Sequence, residues 1–277
     1  MGSISHVRRA YEKESFAREA MNEKQVMVMR HDPKKKYFLI STMLKEQVGA
    51  LADITRILAV RGVDILEGQI YTTMEGHGYV TLFAEARDAR IDVNFLKQIL
   101  RGSTFLEATV VLESHKGMII DSVNFPLVTD FGERSILLSA EAVRETFRTT
   151  REGYGKEAAD LIYRLGFSYG SGVWSKLFTG LEKDKGSVEG FLAFYSAVGL
   201  GKATLERYRV EASILRVSVE GCFECEGLEA SSPASAFFLG VLAGSFGALF
   251  GREMVAREIK CVAMGDKRCE FELTPRA

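Results

Sequence analysis

Proline is scarce and tryptophan almost absent, with four Pro and one Trp in 277 residues. So few rigid breaks exclude a Pro-rich or low-complexity chain and favour long regular elements. Neither sign of charge dominates, because 36 Lys and Arg stand against 37 Asp and Glu. A duplex-DNA binder normally carries a basic surplus, so no direct nucleic-acid contact is expected. The short basic run Lys34–Lys36 reads as a solvated linker. There is no phosphate-binding glycine loop, no GxGxxG after a strand, no His–Glu metalloprotease helix and no Gly-x-Ser-x-Gly elbow. No catalytic residue is assigned. The opening MGSISHVRRAYEK lacks an apolar stretch followed by a small-residue cleavage site, so a cytoplasmic location is expected.

What is present is ordinary globular material, 47% hydrophobic and 26% charged. Single cores usually stop growing well before this length, so two domains are expected. The longest uncharged run, Ala230 to Gly251, is about long enough to span a bilayer. Its glycines at 240, 244, 247 and 251 would thin one side of a helix so that a neighbour can approach. A lone span followed by a cysteine-bearing segment is poor membrane design. The run therefore reads as a buried helix, and no membrane contact is expected.

Residues 1–36 read as an amphipathic helix over 1–22 and a polar linker. Between 37 and 114 the element types alternate. YFLISTM is strand-like, and Leu51, Ile54, Ile57 and Leu58 fall at helical spacing, with Gly62 as the expected stop. VDILEGQIYTT and GYVTLFAEA are strands, and a second helix carries Ile91, Phe95 and Ile99. TFLEATVVLES closes a β-α-β-β-α-β order. The strand–Gln47-Val48-Gly49-Ala50-Leu51–helix opening and the RGVDI entry to the second strand resemble an ACT domain. That resemblance implies a ferredoxin-like fold, pairing into a homodimer, and an amino-acid-like effector at the interface. Carried over by position, Lys45, Glu46, Gln47, Val48 and Gly49 would line that site, with Ile65 and Glu67 on the next strand.

Residues 115–277 form the other module: helices around 139–148, 158–174 and 187–200, a strand at ASILRVSVEG, the glycine-rich helix, and a closing hairpin around Met264-Gly265-Asp266. Gly153-Tyr154-Gly155, Gly166, Gly170, the Ser232-Pro233 entry, Gly240 to Gly244 and the Glu258-x2-Cys261-x4-Asp266-x2-Cys269 pattern resemble a 4-vinyl-reductase-type domain. This family also supplies phenol-responsive sensor domains and shares a fold with TRAPP vesicle-tethering subunits. The resemblance implies a mixed α/β domain with an antiparallel sheet and helices, binding a small molecule beside a metal. By the same analogy Tyr154, Tyr163, Phe167, Tyr169 and Trp174 would line a pocket for a small hydrophobic or aromatic ligand. The alternative for these rings is a plain aromatic core.

All four cysteines lie in this half: Cys222, Cys225, Cys261 and Cys269. Two thiolates three apart can chelate one ion from a tight turn, and two more flanking a hairpin can complete a tetrahedron suited to zinc. Glu258 offers a competing oxygen ligand at a position the family pattern uses. The family usually has a cysteine where this chain has Ser235, so Cys222 or Cys225 would substitute. Disulfides and reduced packing thiols remain alternatives.

The fold class is thus α+β in two modules. The functional reading is a cytoplasmic, non-enzymatic ligand sensor with structural zinc, passing a change in dimer geometry to a partner such as a transcription factor. Two other readings stand beside it: an enzyme or accessory factor in tetrapyrrole or aromatic metabolism, and a tethering scaffold.

Overall fold

The computed structural model describes residues 26–73, 76–129 and 132–276, so the helix expected over 1–22 lies outside the described residues. The chain forms two compact units that divide between Leu127 and Val128, not at the expected 114/115. Strand pairing explains the difference. β1 (Met29–His31), inside the expected linker, pairs antiparallel with β6 (Met118–Ile120). That ribbon keeps the residues just beyond 114 with the first unit.

The first unit continues as β2 (Tyr37–Lys45), α1 (Ala50–Ala59), β3 (Val63–Thr72), β4 (His77–Ala86), α2 (Val93–Leu100) and β5 (Leu106–Glu113). The four strands make one antiparallel sheet in the order β3-β4-β2-β5. The unbroken apolar run at the start of β2 reflects burial on both faces. Phe38 and Ile40 join Ile54, Leu58, Leu96 and Leu100 under the helices, while Tyr37 and Leu39 meet Phe83 and Ile119 of β6 on the other face. The helix faces differ from the expected ones in detail. Leu51 is exposed, and α2 buries Leu96 and Leu100 in place of Phe95 and Ile99. Asp92 caps that helix by accepting from the Phe95 amide at 2.7 Å, and this start turns the 96/100 row inward.

The second unit contains α3 (Ala140–Tyr154), α4 (Lys156–Leu177), α5 (Lys185–Ala197), β7 (Lys202–Arg209), β8 (Ile214–Glu220), α6 (Ala236–Phe250), β9 (Met254–Lys260) and β10 (Cys269–Pro275). Its antiparallel sheet runs β7-β8-β10-β9. Sequence patterning leaves β7 as a turn, because this edge strand alternates half-buried Ala203 and Leu205 with charged residues that face water. The uncharged run becomes α6, buried almost throughout. Among the described residues no helix is long and apolar enough to cross a membrane.

The pairing of α6 with α4 depends on four glycines used reciprocally. A Cβ placed on Gly166 or Gly170 of α4 would overlap the carbonyls of Phe237 and Val241. One placed on Gly240 or Gly244 of α6 would overlap the carbonyls of Tyr163 and Phe167. The obstructing atoms are backbone, so rotamer changes cannot relieve the clash. Gly170→Ala or Gly240→Ala is therefore expected to destabilise the second unit by about 3 kcal/mol. Gly172, also on α4, has nothing within 4 Å of such a Cβ. Gly172→Ala should leave stability unchanged or raise it by up to about 1 kcal/mol, and chemical denaturation of the three variants reads the contrast.

Candidate metal centre

The stretch from β8 to β10 is folded so that its reactive side chains meet. After β8 the chain turns at Gly221, whose φ is +59°. The Cys222 carbonyl then accepts from the amides of Cys225 and Glu226 at 3.0 and 3.1 Å, which closes a tight turn carrying two thiols. On the other side, β9 delivers Glu258 and ends just before Cys261, and Cys269 opens β10. Asp266 explains its place in the motif. Its carboxylate accepts from the Cys261 amide at 2.9 Å, while its own amide donates to the Cys261 carbonyl at 3.2 Å. Gly265, at φ +95°, makes the intervening turn possible.

The ligand atoms of Cys225, Glu258, Cys261 and Cys269 all lie within 4.8 Å of one another, and all four residues are buried. The Cys225 and Cys261 sulfurs are 3.5 Å apart. A tetrahedral site with metal–sulfur bonds of about 2.3 Å has edges of about 3.8 Å, so the donor set fits a four-coordinate ion. Three soft thiols and one carboxylate, with no open position among them, make a closed site of structural type. All four cysteines are free thiols. Cys222 is buried as well, and its thiol bonds those of Cys225 and Cys269.

Without a cation these groups crowd protons together. Cys269 is held well below the ordinary thiol range by hydrogen bonds from Cys222 and Cys225, and the Val262 amide adds another at 3.4 Å. The Cys225 thiol is pushed up by its bonds to Cys222 and Cys269 and by burial. Burial raises Glu258 to about 7, against a pull downward from Ser235 and Cys261. A single negative charge shared among buried thiols is the arrangement a divalent cation relieves, by replacing protons.

Ser235 does not act as a side-chain cap of the helix it precedes. Its hydroxyl donates to Glu258 at 2.6 Å and lies 3.1 Å from the Cys225 sulfur and 3.9 Å from that of Cys269. It thus orients the carboxylate within the cluster. The cap comes from Glu224, between the two cysteines. That carboxylate is fully buried and accepts from the Phe237 and Phe238 amides, each at 3.1 Å. Arg151 of α3 donates to it at 2.7 Å and also to the Ala234 carbonyl. Burial raises Glu224 to about 7 while the two amides and Arg151 oppose it. No sequence spacing announces this role; an acid flanked by cysteines is the only signal.

The remaining expected site residues lie apart from the metal cluster. Lys45 to Gly49 form an exposed loop into α1, with Gly49 left-handed at φ +95°. The Lys45 and Glu46 amides are already bonded to the carbonyls of Phe105 and Gly76. Glu67 pairs with Arg30 at 2.7 Å, and Ile65 is half-buried on the same strand. Of the expected aromatic lining, Tyr154 is 70% exposed whereas Trp174 is sealed against Phe178 and Phe191. Tyr163 and Phe167 are half-buried, and Tyr169 stacks obliquely on Phe237 at 5.9 Å. These five do not surround one space. The cavity described in this unit, 260 Å³, lies elsewhere, lined by Lys185, Leu205, Glu206, Arg207, Tyr208 and Val210.

Residues 215–275 match the 4-vinyl-reductase (V-4-R) domain. The matched stretch runs from β8 through α6 to β10 and contains every residue of the cluster. An uncharacterised protein of Methanocaldococcus jannaschii is 28% identical over 112 residues, covering 40% of this chain and 54% of that protein. The chain therefore matches about half the length of that relative. Among solved structures, the phenol-responsive sensory domain of the transcription activator PoxR, with phenol, is 23% identical. That match covers 52% of this chain and 77% of the sensory domain, at a TM-score of 0.46. A vinyl-4-reductase family protein of Methanocaldococcus jannaschii is 14% identical, covering 53% and 87% at a TM-score of 0.37.

Replacing Glu224 by Ala strips two amides of their acceptor and leaves the half-buried Arg151 without its anion. Such a loss should destabilise the second unit by about 3 kcal/mol. Replacing Asp160, whose pair with Arg164 on α4 lies in solvent, should leave the melting temperature where it is.

Proposed function

We propose that the second unit is a ligand-sensing module whose binding region is held in shape by structural zinc, bound through Cys225, Cys261, Cys269 and Glu258. The observation that carries this reading is the convergence of four buried donors inside the stretch that matches the 4-vinyl-reductase domain. Zinc suits three thiolates and a carboxylate because it is soft enough for sulfur and imposes no geometry of its own. Bound there, it would supply a cross-link between the turn after β8 and the β9–β10 hairpin. Thiols that must stay reduced to hold it fit a cytoplasmic setting.

The ligand class we assign is a small hydrophobic or aromatic molecule. Phe147, Phe223 and Phe237 cluster directly beside the metal centre, with Tyr169 against Phe237. Such a wall, with a phenolic tip at its rim, suits a flat apolar guest. The first unit we assign to regulation as an ACT-like module. Its β-α-β-β-α-β order and β3-β4-β2-β5 sheet support this, and so does the exposed Lys45–Gly49 loop, which enters α1 without a side-chain cap. An amino-acid-like carboxylate would bind there in a homodimer, and the output would pass to a partner such as a transcription factor.

Native mass spectrometry of freshly purified protein tests the core of this reading. One zinc per chain is expected, together with small-molecule cargo or binding of added phenols. Cys261→Ser should lose the metal and, since a structural zinc contributes about 10–16 kcal/mol in small domains, unfold the second unit. A reduced, folded protein that takes up no zinc contradicts the proposal.

A further inference from the structure

α3 is amphipathic but thinly embedded: Phe147 is its one buried residue. Among the described residues, its side-chain bonds to other elements all end near the metal cluster. Arg144 donates through Nε to the Phe223 carbonyl at 2.9 Å and lies 3.9 Å from the Glu226 carboxylate. Arg151 donates to Glu224 and to the Ala234 carbonyl, both at 2.7 Å. The Phe147 ring meets those of Phe223 and Phe237, at 6.4 and 5.5 Å, and the apolar remainder of its contact is with Ile162 and neighbours. The other charged side chains of the helix are paired within it, as Arg148 is with Glu145 and Glu152.

The residues receiving α3 are therefore those on either side of Cys225 and just before and after Ser235. Each is placed by the same turn that positions the cluster. A surface made from the backbone carbonyl of residue 223, the carboxylate of 224 and the carbonyl of 234 exists only while that turn is fixed. Removing one cross-link from the turn frees all three acceptors together. α3 also follows directly on residues 128–139, which lead in from the division between the two units. Its docking is thus placed to report on the centre.

We propose that α3 is a metal-dependent latch: occupancy of the Cys225/Glu258/Cys261/Cys269 centre docks it through Arg144 and Arg151, and loss of the metal releases it. The proposal rests on the metal-site reading above. Linkage makes the effect mutual, so a docked α3 tightens metal binding by the same factor by which metal favours docking.

Hydrogen exchange on the full chain, zinc-loaded and after chelation, tests it. Amides of 142–154 should exchange about tenfold faster without metal, along with 222–226. α5, whose core partners lie elsewhere, should keep its protection. In a competition titration against a chromophoric chelator, the Arg144→Met, Arg151→Met double variant should bind zinc about tenfold more weakly. The loaded double variant should also show α3 exchanging freely. Arg148→Met, whose partners are internal to the helix, should match wild type in both assays. Equal α3 exchange with and without metal, or wild-type zinc affinity in the double variant, overturns the latch. Should chelation strip protection from α5 too, the affinity comparison alone decides in the same way. A wild-type chain that binds neither zinc nor cobalt removes the centre itself and the latch with it.

Discussion

The second unit depends on how closely α4 and α6 can approach. Gly166, Gly170, Gly240 and Gly244 remove the side chains that would hold the two backbones apart, and each faces a carbonyl of the opposite helix. With that contact made, α6 sits at a fixed height in the unit. Its first turn, Ser235 to Phe238, then presents a hydroxyl and free amides to whatever lies at its N-terminus. The chain places two carboxylates there: Glu224 on the amides of Phe237 and Phe238, and Glu258 on Ser235. Negative charge at a helix N-terminus is favoured by the helix dipole and by unpaired N–H groups. Both carboxylates are nevertheless buried enough that desolvation raises them to about 7.

The thiols complete the arrangement. A tight turn contributes Cys225, and a hairpin whose turn is tied by Asp266 contributes Cys261 and Cys269. Helix pairing, capping and metal ligation therefore share residues. Glu224 caps α6 while anchoring α3 through Arg151, and Ser235 begins α6 while orienting Glu258. A change at one of these positions acts on the others, which is why buried polar networks are valuable only when every member is satisfied.

Much of this was legible in the residues. The alternation of strand and helix patterns located each element of the first sheet, since period-2 and period-3.6 hydrophobicity differ clearly there. Cysteine clustering located the cluster, because four thiols confined to one half of a chain have few other uses. The glycine spacing in the uncharged run announced a close helix contact, although not its partner. Other features depend on tertiary context. β7 carries the charges of an edge strand and so lacks a strand's apolar signature. Trp174 and Tyr154 fall near each other in an aromatic-rich stretch, yet one is core and the other faces water. Glu224 reads as one more surface acid until the fold brings α6 onto it.

The centre holding a four-coordinate ion through three sulfurs and one oxygen is the claim on which the functional account stands. X-ray absorption at the zinc edge of the purified, reduced protein measures that coordination directly. The account predicts about three sulfur neighbours near 2.3 Å and one oxygen near 2.0 Å. A protein without zinc, or a zinc bound by nitrogen and oxygen alone, would contradict it.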